Sequence, residues 1–432
     1  MKVCFDTYGC RLNRAEALEE EAKYLAAGYE LTDEYEDADV IVVRGCSITA
    51  RAQRKCEKVI ARIRKRFPVK KLVIQGCLDK DLLTPVALGE IQGIKAKPLR
   101  AKNENGPGTH IVKERDDLPV VDMLHWRVPD RTARAYLKVQ DGCSGQCTFC
   151  IVPKFRGKSV SVDFDEAIEK SRDFIRSGYR EIVITGCNLS LYASKGKRLA
   201  DLVEAIAELD DCCRVRVGSV EPGPAAWELV EAMSRHSNIC RFLHLPVQSG
   251  SQVTLSAMKR PYTVKEVSAL IRNALKLMPN LALGCDLMAG FPGESDLDYL
   301  STKGFLQRHP FTNAHVFPYS ERPGTPAQDF LEPIPQDVRS ERSHELADIA
   351  DRKRAAYAQR FVGKVVEIIV EDMKTVGGWT DEYLWCSAVN AKFCTGVRRK
   401  QRLRMRVKST NGDRLVGMPL TEDIKTGKEN GQ

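Results

Sequence analysis

Long apolar runs are missing from this chain of 432 residues. Stretches such as Val40-Ile-Val-Val43 fall far short of the roughly 20 apolar residues that a membrane-spanning helix needs. An apolar leader is missing too, because Met1-Lys-Val-Cys-Phe-Asp6 runs straight into a strand pattern. The cytoplasm is therefore the expected compartment, with no membrane partner. Low-complexity tracts are also absent, and 43% hydrophobic with 29% charged residues is ordinary for folded domains. Fibrous and disordered classes are thereby excluded, and two to four domains are expected at this length. Acidic excess is lacking as well. A net charge of +9 permits a polyanionic partner without demanding one. Nothing suggests an obligate oligomer, so a monomer is expected.

A further shortage concerns metal ligands. Cys143-Ser-Gly-Gln-Cys147-Thr-Phe-Cys150 has the spacing C-x3-C-x2-C, and no fourth Cys or His follows at short distance. Structural zinc sites are closed by a second cysteine pair or by histidines. Three thiolates instead suit three irons of a cubic [4Fe–4S] cluster, leaving the fourth iron open to a substrate or cofactor. Zinc and plain packing remain the alternatives. Fifteen cysteines in a reduced compartment favour metal ligation plus some buried thiols over disulfides.

Strand and helix signals alternate twice. Residues 2–6, 38–43 and 71–75 read as parallel strands, with crossover helices over 14–27 and 50–67, which predicts an N-terminal doubly wound parallel sheet. Cys10, Cys46 and Cys77 fall just past the ends of those strands, along the edge where ligands gather. Converging there, they would make a second three-cysteine site; ordinary burial is the alternative for each, and Cys4 and Cys56 read as packing residues. From 135 to about 320, six further strands (135–140, 181–185, 214–217, 242–246, 281–288, 314–317) predict a central incomplete (β/α)6 barrel. The cysteine triplet then lies on its first mouth loop, where barrel chemistry sits. A charged helix over 337–359 precedes β-rich residues 363–420, expected as a small OB-like β-barrel. Arg398, Arg399, Lys400, Arg402, Arg404 and Arg406 form a basic stretch there, with the last three on one strand face. It fits a phosphate-tracking RNA surface, or a merely solvated face.

The cysteine triplet resembles that of the radical S-adenosylmethionine (SAM) enzymes. Further motifs occur in order: Thr7-Tyr-Gly-Cys-Arg-Leu-Asn13, Asp141-Gly-Cys143, Phe149-Cys-Ile-Val-Pro153 with Arg156-Gly157, Thr185-Gly186, Ser219-Val-Glu-Pro222, His244-Leu-Pro-Val-Gln-Ser-Gly-Ser251, Ala289-Gly-Phe-Pro-Gly-Glu294 and Phe317-Pro-Tyr-Ser320. Together they resemble the methylthiotransferases over nearly the whole chain. The resemblance implies an auxiliary-cluster domain over 1–97, a linker over 98–134, a radical SAM core with its C-terminal helix over 135–360, an RNA-binding TRAM domain over 361–422 and a tail over 423–432.

It also implies insertion of a methylthio group at an unactivated C–H bond, with two [4Fe–4S] clusters and SAM as cofactors. Cys143, Cys147 and Cys150 would ligate the SAM-cleaving cluster, and Cys10, Cys46 and Cys77 the auxiliary cluster. Phe149, Gly186, Ser219, Glu221, Gln248, Ser249, Gly290 and Glu294 are the candidate SAM contacts, with packing the alternative for Phe149 and a plain turn for Gly290 and Glu294. A low-potential electron donor, a sulfur donor and a tRNA anticodon stem-loop are the implied partners. Gln140–Cys143, His244–Pro246, Met258–Thr263 and His315–Ser320 look most like the branch acting on threonylcarbamoyladenosine. The isopentenyladenosine and ribosomal-protein branches are the runners-up, and a non-catalytic iron–sulfur RNA-binding sensor is the reading from another class. Departures from the family pattern at Arg44-Gly45-Cys46, Gln75–Asp79, Cys187 and Leu189–Ala193 leave all six ligands in place and bear on the substrate branch.

Overall fold

Strands β1 (Lys2–Thr7), β2 (Glu30–Thr32), β3 (Val40–Cys46) and β4 (Lys71–Cys77) form one parallel sheet in the order β2-β1-β3-β4 in the computed structural model, which describes residues 1–78 and 132–425. Its β-branched strands are apolar on both faces, as a parallel sheet covered on both sides requires. Val3, Phe5, Val40, Val42 and Val73 pack against Tyr24 of α1 (Arg11–Ala26). On the other face Cys4, Ile41, Val43 and Ile74 meet Cys56, Ile60 and Ile63 of α2 (Ala50–Arg66). The short edge strand β2 was not read from the sequence. The expected linker lies outside the described residues except for 132–134, as do 79–97 and 426–432.

Six parallel strands follow: β5 (Ala135–Lys138), β6 (Glu181–Thr185), β7 (Arg214–Val217), β8 (Phe242–Gln248), β9 (Ala282–Ala289) and β10 (Phe311–Pro318). The ladders β7-β6-β5 and β8-β9-β10 are joined by bridges at Val215–Ile239 and Ser219–His244, giving an open barrel. Around it run α3 (Val152–Arg156), α4 (Phe164–Arg176), α5 (Leu199–Ala207), α6 (Pro224–Arg235), α7 (Gln252–Ala257), α8 (Val264–Leu277), α9 (Asp296–Arg308) and α10 (Gln336–Gln359). Leu137, Ile182, Ile184, Val215, Val217, Leu243, Leu245, Leu283, Cys285 and Leu287 belong to the core shared with these helices. Strand alternation then turns Tyr136, Glu181, Arg214, Arg216, Phe242, His244 and Asp286 into the lumen.

A C-terminal five-stranded sheet, β11 (Val365–Ile369), β12 (Gly377–Trp379), β13 (Trp385–Ala388), β14 (Arg402–Asn411) and β15 (Arg414–Pro419), is ordered β11-β14-β15-β13-β12. The turn between β12 and β13 closes the N-terminal end of the barrel. Tyr383 stacks on Phe242 with ring centres 4.9 Å apart and on Trp379 at 4.5 Å. Arg214 donates to the Trp379 carbonyl at 2.9 Å and Arg216 to that of Thr380 at 2.8 Å. Both arginines also grip the fully buried Glu181, at 2.6 and 2.8 Å. Burial opposes charge on Glu181, but Arg216, Arg214 and Arg134 outweigh it and hold the carboxyl far below its ordinary range.

Candidate functional site

The N-terminal cysteines are gathered by sheet register. Cys46 and Cys77 end adjacent parallel strands and are register partners, while Cys10 caps the start of α1. Burial pushes both thiols up, Cys77 to about 12, and proximity to Cys10 adds charge repulsion to each. Tight glycines make the convergence possible. A Cβ on Gly45 would lie 2.2 Å from the Cys56 sulfur, and one on Gly76 would lie 2.4 Å from the Gly45 carbonyl. Gly76 also has φ +101°, which only glycine adopts without strain. Asn13, fully buried, ties two of the loops together by donating to the Tyr8 and Gly45 carbonyls, both at 2.8 Å, and its Oδ1 faces Cys77 Sγ of the third at 3.8 Å.

The second triplet lies beyond β5. Gly142, at φ +63°, sits where a Cβ would clash with the Lys158 carbonyl at 2.0 Å. The Gly145 amide donates to Cys143 Sγ at 3.3 Å. A Cβ at Gly145 would stand 3.2 Å and 4.0 Å from the sulfurs of Cys143 and Cys147, so the missing side chain keeps the space between them clear. Arg260 donates to Cys147 Sγ at 2.9 Å and pairs with Glu221 at 2.6 Å. Burial raises the Cys147 and Cys150 thiols, Cys150 to about 11, and the neighbouring triplet sulfurs add to both shifts. Two crowded thiol triplets, each with an arginine on one sulfur, are suited to a polynuclear cation that compensates the thiolates.

One side chain joins the two. Arg156, at the end of α3, donates to Cys77 Sγ at 2.5 Å, to Asn13 at 3.1 Å, to Glu16 at 2.8 Å and to Asp141, two residues before Cys143, at 2.9 Å. Its neighbour Cys187 lies 3.5 Å from the same Asp141 carboxylate. Arg44, one of the departures, pairs with Glu16 and Glu20 of α1 at 2.9 and 2.8 Å. The sequence reading quoted Arg156 and Arg260 within motifs without giving them a role; nothing in their spacing reveals that they reach sulfur.

The remaining candidates separate into two groups. Glu221 reaches Asn188 at 3.1 Å, and Asn188 stands 3.9 Å from Cys143 Sγ. Gly186 closes onto Gln140, whose Oε1 would be 2.9 Å from an added Cβ. Phe149 packs against the cluster of Met258, Met288, Phe291 and Tyr319. Gln248 has φ +73° and a buried Oε1 without a hydrogen-bond partner. Ser219 meets His244 Nδ1 at 3.2 Å. Ser249, by contrast, is fully buried with its hydroxyl 2.9 Å from that of Thr302. Glu294 accepts from the Gly290 amide at 2.9 Å and from Arg342 at 2.7 Å, closing a turn against α10.

The basic stretch lies at the other end of the barrel. Lys400 stands 3.6 Å over the Tyr179 ring, and Arg402 donates to the Cys212 carbonyl, both ahead of their strands' first residues. Arg402 pairs with Glu367 at 2.8 Å, and Arg404 with Asp423 and Glu422 at 2.8 and 3.0 Å. Arg406 meets the Gly363 carbonyl at 3.4 Å, while Arg398 and Arg399 precede β14 on the connecting segment.

Comparison with known proteins bears on this arrangement. The Radical SAM superfamily matches residues 137–306, and the Uncharacterized protein family UPF0004 matches residues 2–86. The threonylcarbamoyladenosine tRNA methylthiotransferase MtaB of Bacillus subtilis is 32% identical over 88% of this chain and 89% of its own length. The chain belongs to the radical SAM methylthiotransferase family. The Thermotoga maritima protein of the same name is 31% identical over 99% of this chain and 98% of its own. The tRNA-2-methylthio-N(6)-dimethylallyladenosine synthase of Bordetella avium is 32% identical over 86% and 82%. Among solved structures, the radical SAM methyltransferase TsrM of Kitasatospora setae aligns with TM-score 0.51 and 13% identity over 76% of this chain and 77% of its own. That likeness concerns the fold alone. Membership makes this methylthiotransferase an enzyme that uses a [4Fe–4S] cluster and SAM, and the open, glycine-cleared triplet on the first barrel loop fits that cofactor pair.

Proposed function

We propose that this methylthiotransferase adds a methylthio group to C2 of N6-threonylcarbamoyladenosine beside the tRNA anticodon. Cys143, Cys147 and Cys150 hold the SAM-binding cluster, and Cys10, Cys46 and Cys77 hold a second [4Fe–4S] cluster. When bound, these groups supply reductive SAM cleavage at one open iron and the sulfur to be transferred at the other. Arg156 supports this reading: a single guanidinium bonded to Cys77 and to Asp141, two residues before Cys143, links the loops that carry the two triplets.

The chain's own groups position and screen. Arg260 sets a fixed positive charge against Cys147 and orients Glu221 toward the triplet. Phe149, Gly186, Ser219, Glu221 and Gln248 form the SAM-facing rim, and the strained backbone and unmet acceptor of Gln248 mark a group waiting for a donor. Ser249, Gly290 and Glu294 hold the turns beneath that rim. The basic stretch from Arg398 to Arg406 contacts the RNA backbone, and a low-potential electron donor and a sulfur donor complete the partners.

Relatives named for threonylcarbamoyladenosine at 32% and 31% identity support this substrate, and the Bordetella avium relative at 32% supports the dimethylallyl alternative. Mass spectrometry of tRNA nucleosides from cells with and without the gene separates them. Loss of the methylthio form of threonylcarbamoyladenosine is the expected result. Loss confined to the isopentenyl nucleoside overturns the substrate, and unchanged tRNA overturns the RNA assignment.

A further inference from the structure

Three adjacent strands of the barrel bring two imidazoles and a carboxylate together in the lumen. His244 lies on β8, Asp286 on β9 and His315 on β10, and Asp286 and His315 are direct register partners. The residues on either side of His244 and Asp286, namely Leu243, Leu245, Cys285 and Leu287, belong to the helix-facing core, and Ala314 and Val316 pack against it, so all three polar side chains point inward. His244 Nε2 and His315 Nδ1 each stand 3.3 Å from the same Asp286 oxygen. The ligand atoms of all three lie within 4.8 Å of one another.

We infer that His244, Asp286 and His315 are a binding site for one divalent metal ion of the zinc type, separate from both cysteine triplets. Zinc bonds of ~2.0–2.1 Å to nitrogen and oxygen place tetrahedral ligands about 3.3–3.4 Å apart, the separation seen for both histidine–carboxylate pairs. A second observation points the same way. His244 is 8% exposed, and its buried Nε2 faces the Asp286 carboxylate at 3.3 Å without hydrogen-bond geometry, while Ser219 sits 3.2 Å from Nδ1. A ligating imidazole is held in just this manner, with its other nitrogen bonded to an outer group that fixes the tautomer and the ring plane. His315 is the exposed member, with 55% of its side chain accessible, so an ion has a path in and keeps an open coordination position. Three protein ligands with one position free is the pattern of a metal that meets a substrate, not of a closed structural site. On the substrate proposed above, the open position takes an oxygen of the threonylcarbamoyl group, which a hydrocarbon substituent does not offer; this clause rests on that proposal, and the zinc site itself does not.

The test uses holoprotein with both cysteine triplets filled with iron and sulfide, stripped of loose metal and titrated anaerobically with zinc chloride. The expected result is one retained zinc per chain at unchanged iron content, with only nitrogen and oxygen neighbours at about 2.0 Å in the zinc X-ray absorption spectrum. Asp286→Asn and His315→Ala remove retention, and Ser219→Ala weakens binding by roughly 10-fold. Retention equal in wild type and in the doubly substituted Asp286→Asn, His315→Ala protein overturns the site, as does sulfur at about 2.3 Å around zinc or no zinc retained by wild type. Iron counts of each variant report whether it has folded, and none of these readouts depends on which nucleoside is modified.

Discussion

At the scale of single residues, the joint between the N-terminal sheet and the barrel rests on charges that titrate. Glu16 is opposed by its burial, but its hydrogen bonds and proximity to Arg156, together with Lys138 and Arg44, lower it from 4.5 to about 2. A carboxyl depressed on folding stabilises the folded state fully above its unfolded value and loses that contribution as pH falls through the folded one. The shift corresponds to on the order of 3 kcal/mol, so the loss falls between about pH 4.5 and about pH 2. Urea midpoints taken across that window should drop more steeply for wild type than for Glu16→Gln, and parallel curves would remove Glu16 from the joint. The N-terminal three cysteines were legible from their place at the ends of parallel strands, and Cys143, Cys147 and Cys150 from their C-x3-C-x2-C spacing. The sequence reading gave no role to Arg156, Arg260 or Asn13, because a long polar side chain can reach any of several partners and spacing does not select among them. The lumen triad also went unread, although His244, Asp286 and His315 are polar residues flanked by apolar ones within strands, a period-two signal for an inward face.

Elements show a similar division. Helix and strand positions followed from apolar periodicity, whereas the docking of the C-terminal sheet did not, because its contact is a turn. The residue pattern starts a strand at Tyr383, whereas the structure starts it at Trp385 and leaves Tyr383 in the turn, where it lies between Phe242 and Trp379 and the adjoining carbonyls accept from Arg214 and Arg216. Removing such a stacked, half-buried ring costs about 3 kcal/mol, the lower end of the range for core rings. Tyr383→Ala should therefore lower the melting temperature by several degrees, and Arg216→Met, which leaves Glu181 with an uncompensated share of charge, should do so comparably. Differential scanning calorimetry checks both, and a melt unchanged by Tyr383→Ala would mean that the turn merely touches the barrel. The basic strand β14 carries its own correction to a simple count of arginines. Arg404 is already neutralised by Asp423 and Glu422 and Arg402 by Glu367, whereas Arg406 meets a carbonyl. Arg406→Ala should therefore lower the slope of log affinity for tRNA against log salt by about 1, and Arg404→Ala by less. Equal slopes in filter-binding series for both variants would contradict the pairing argument.

For the whole molecule, the decisive relation is that the N-terminal sheet sits beside the barrel so that Arg156, bonded to Cys77 of one triplet, also bonds Asp141 beside the other. Ala15 and Leu18 of α1 pack on Tyr136 and Val183, and Arg322 reaches Gln53 of α2 at 2.9 Å, so the two units are joined on both sides of the cysteines. Joined units can still fail separately, because each triplet is built from its own loops. Replacing Cys147 with Ala should abolish formation of 5′-deoxyadenosine from SAM after reduction while iron remains at Cys10, Cys46 and Cys77. Replacing Cys46 with Ala should leave SAM cleavage intact and stop methylthio product, since the C–H bond is then activated with no sulfur in reach. Iron content, 5′-deoxyadenosine and modified nucleoside, measured on the same preparations, distinguish these outcomes. Methylthio product from Cys46→Ala would show that sulfur enters by a route other than the N-terminal cysteines, and Arg156 would then serve only to hold two domains together.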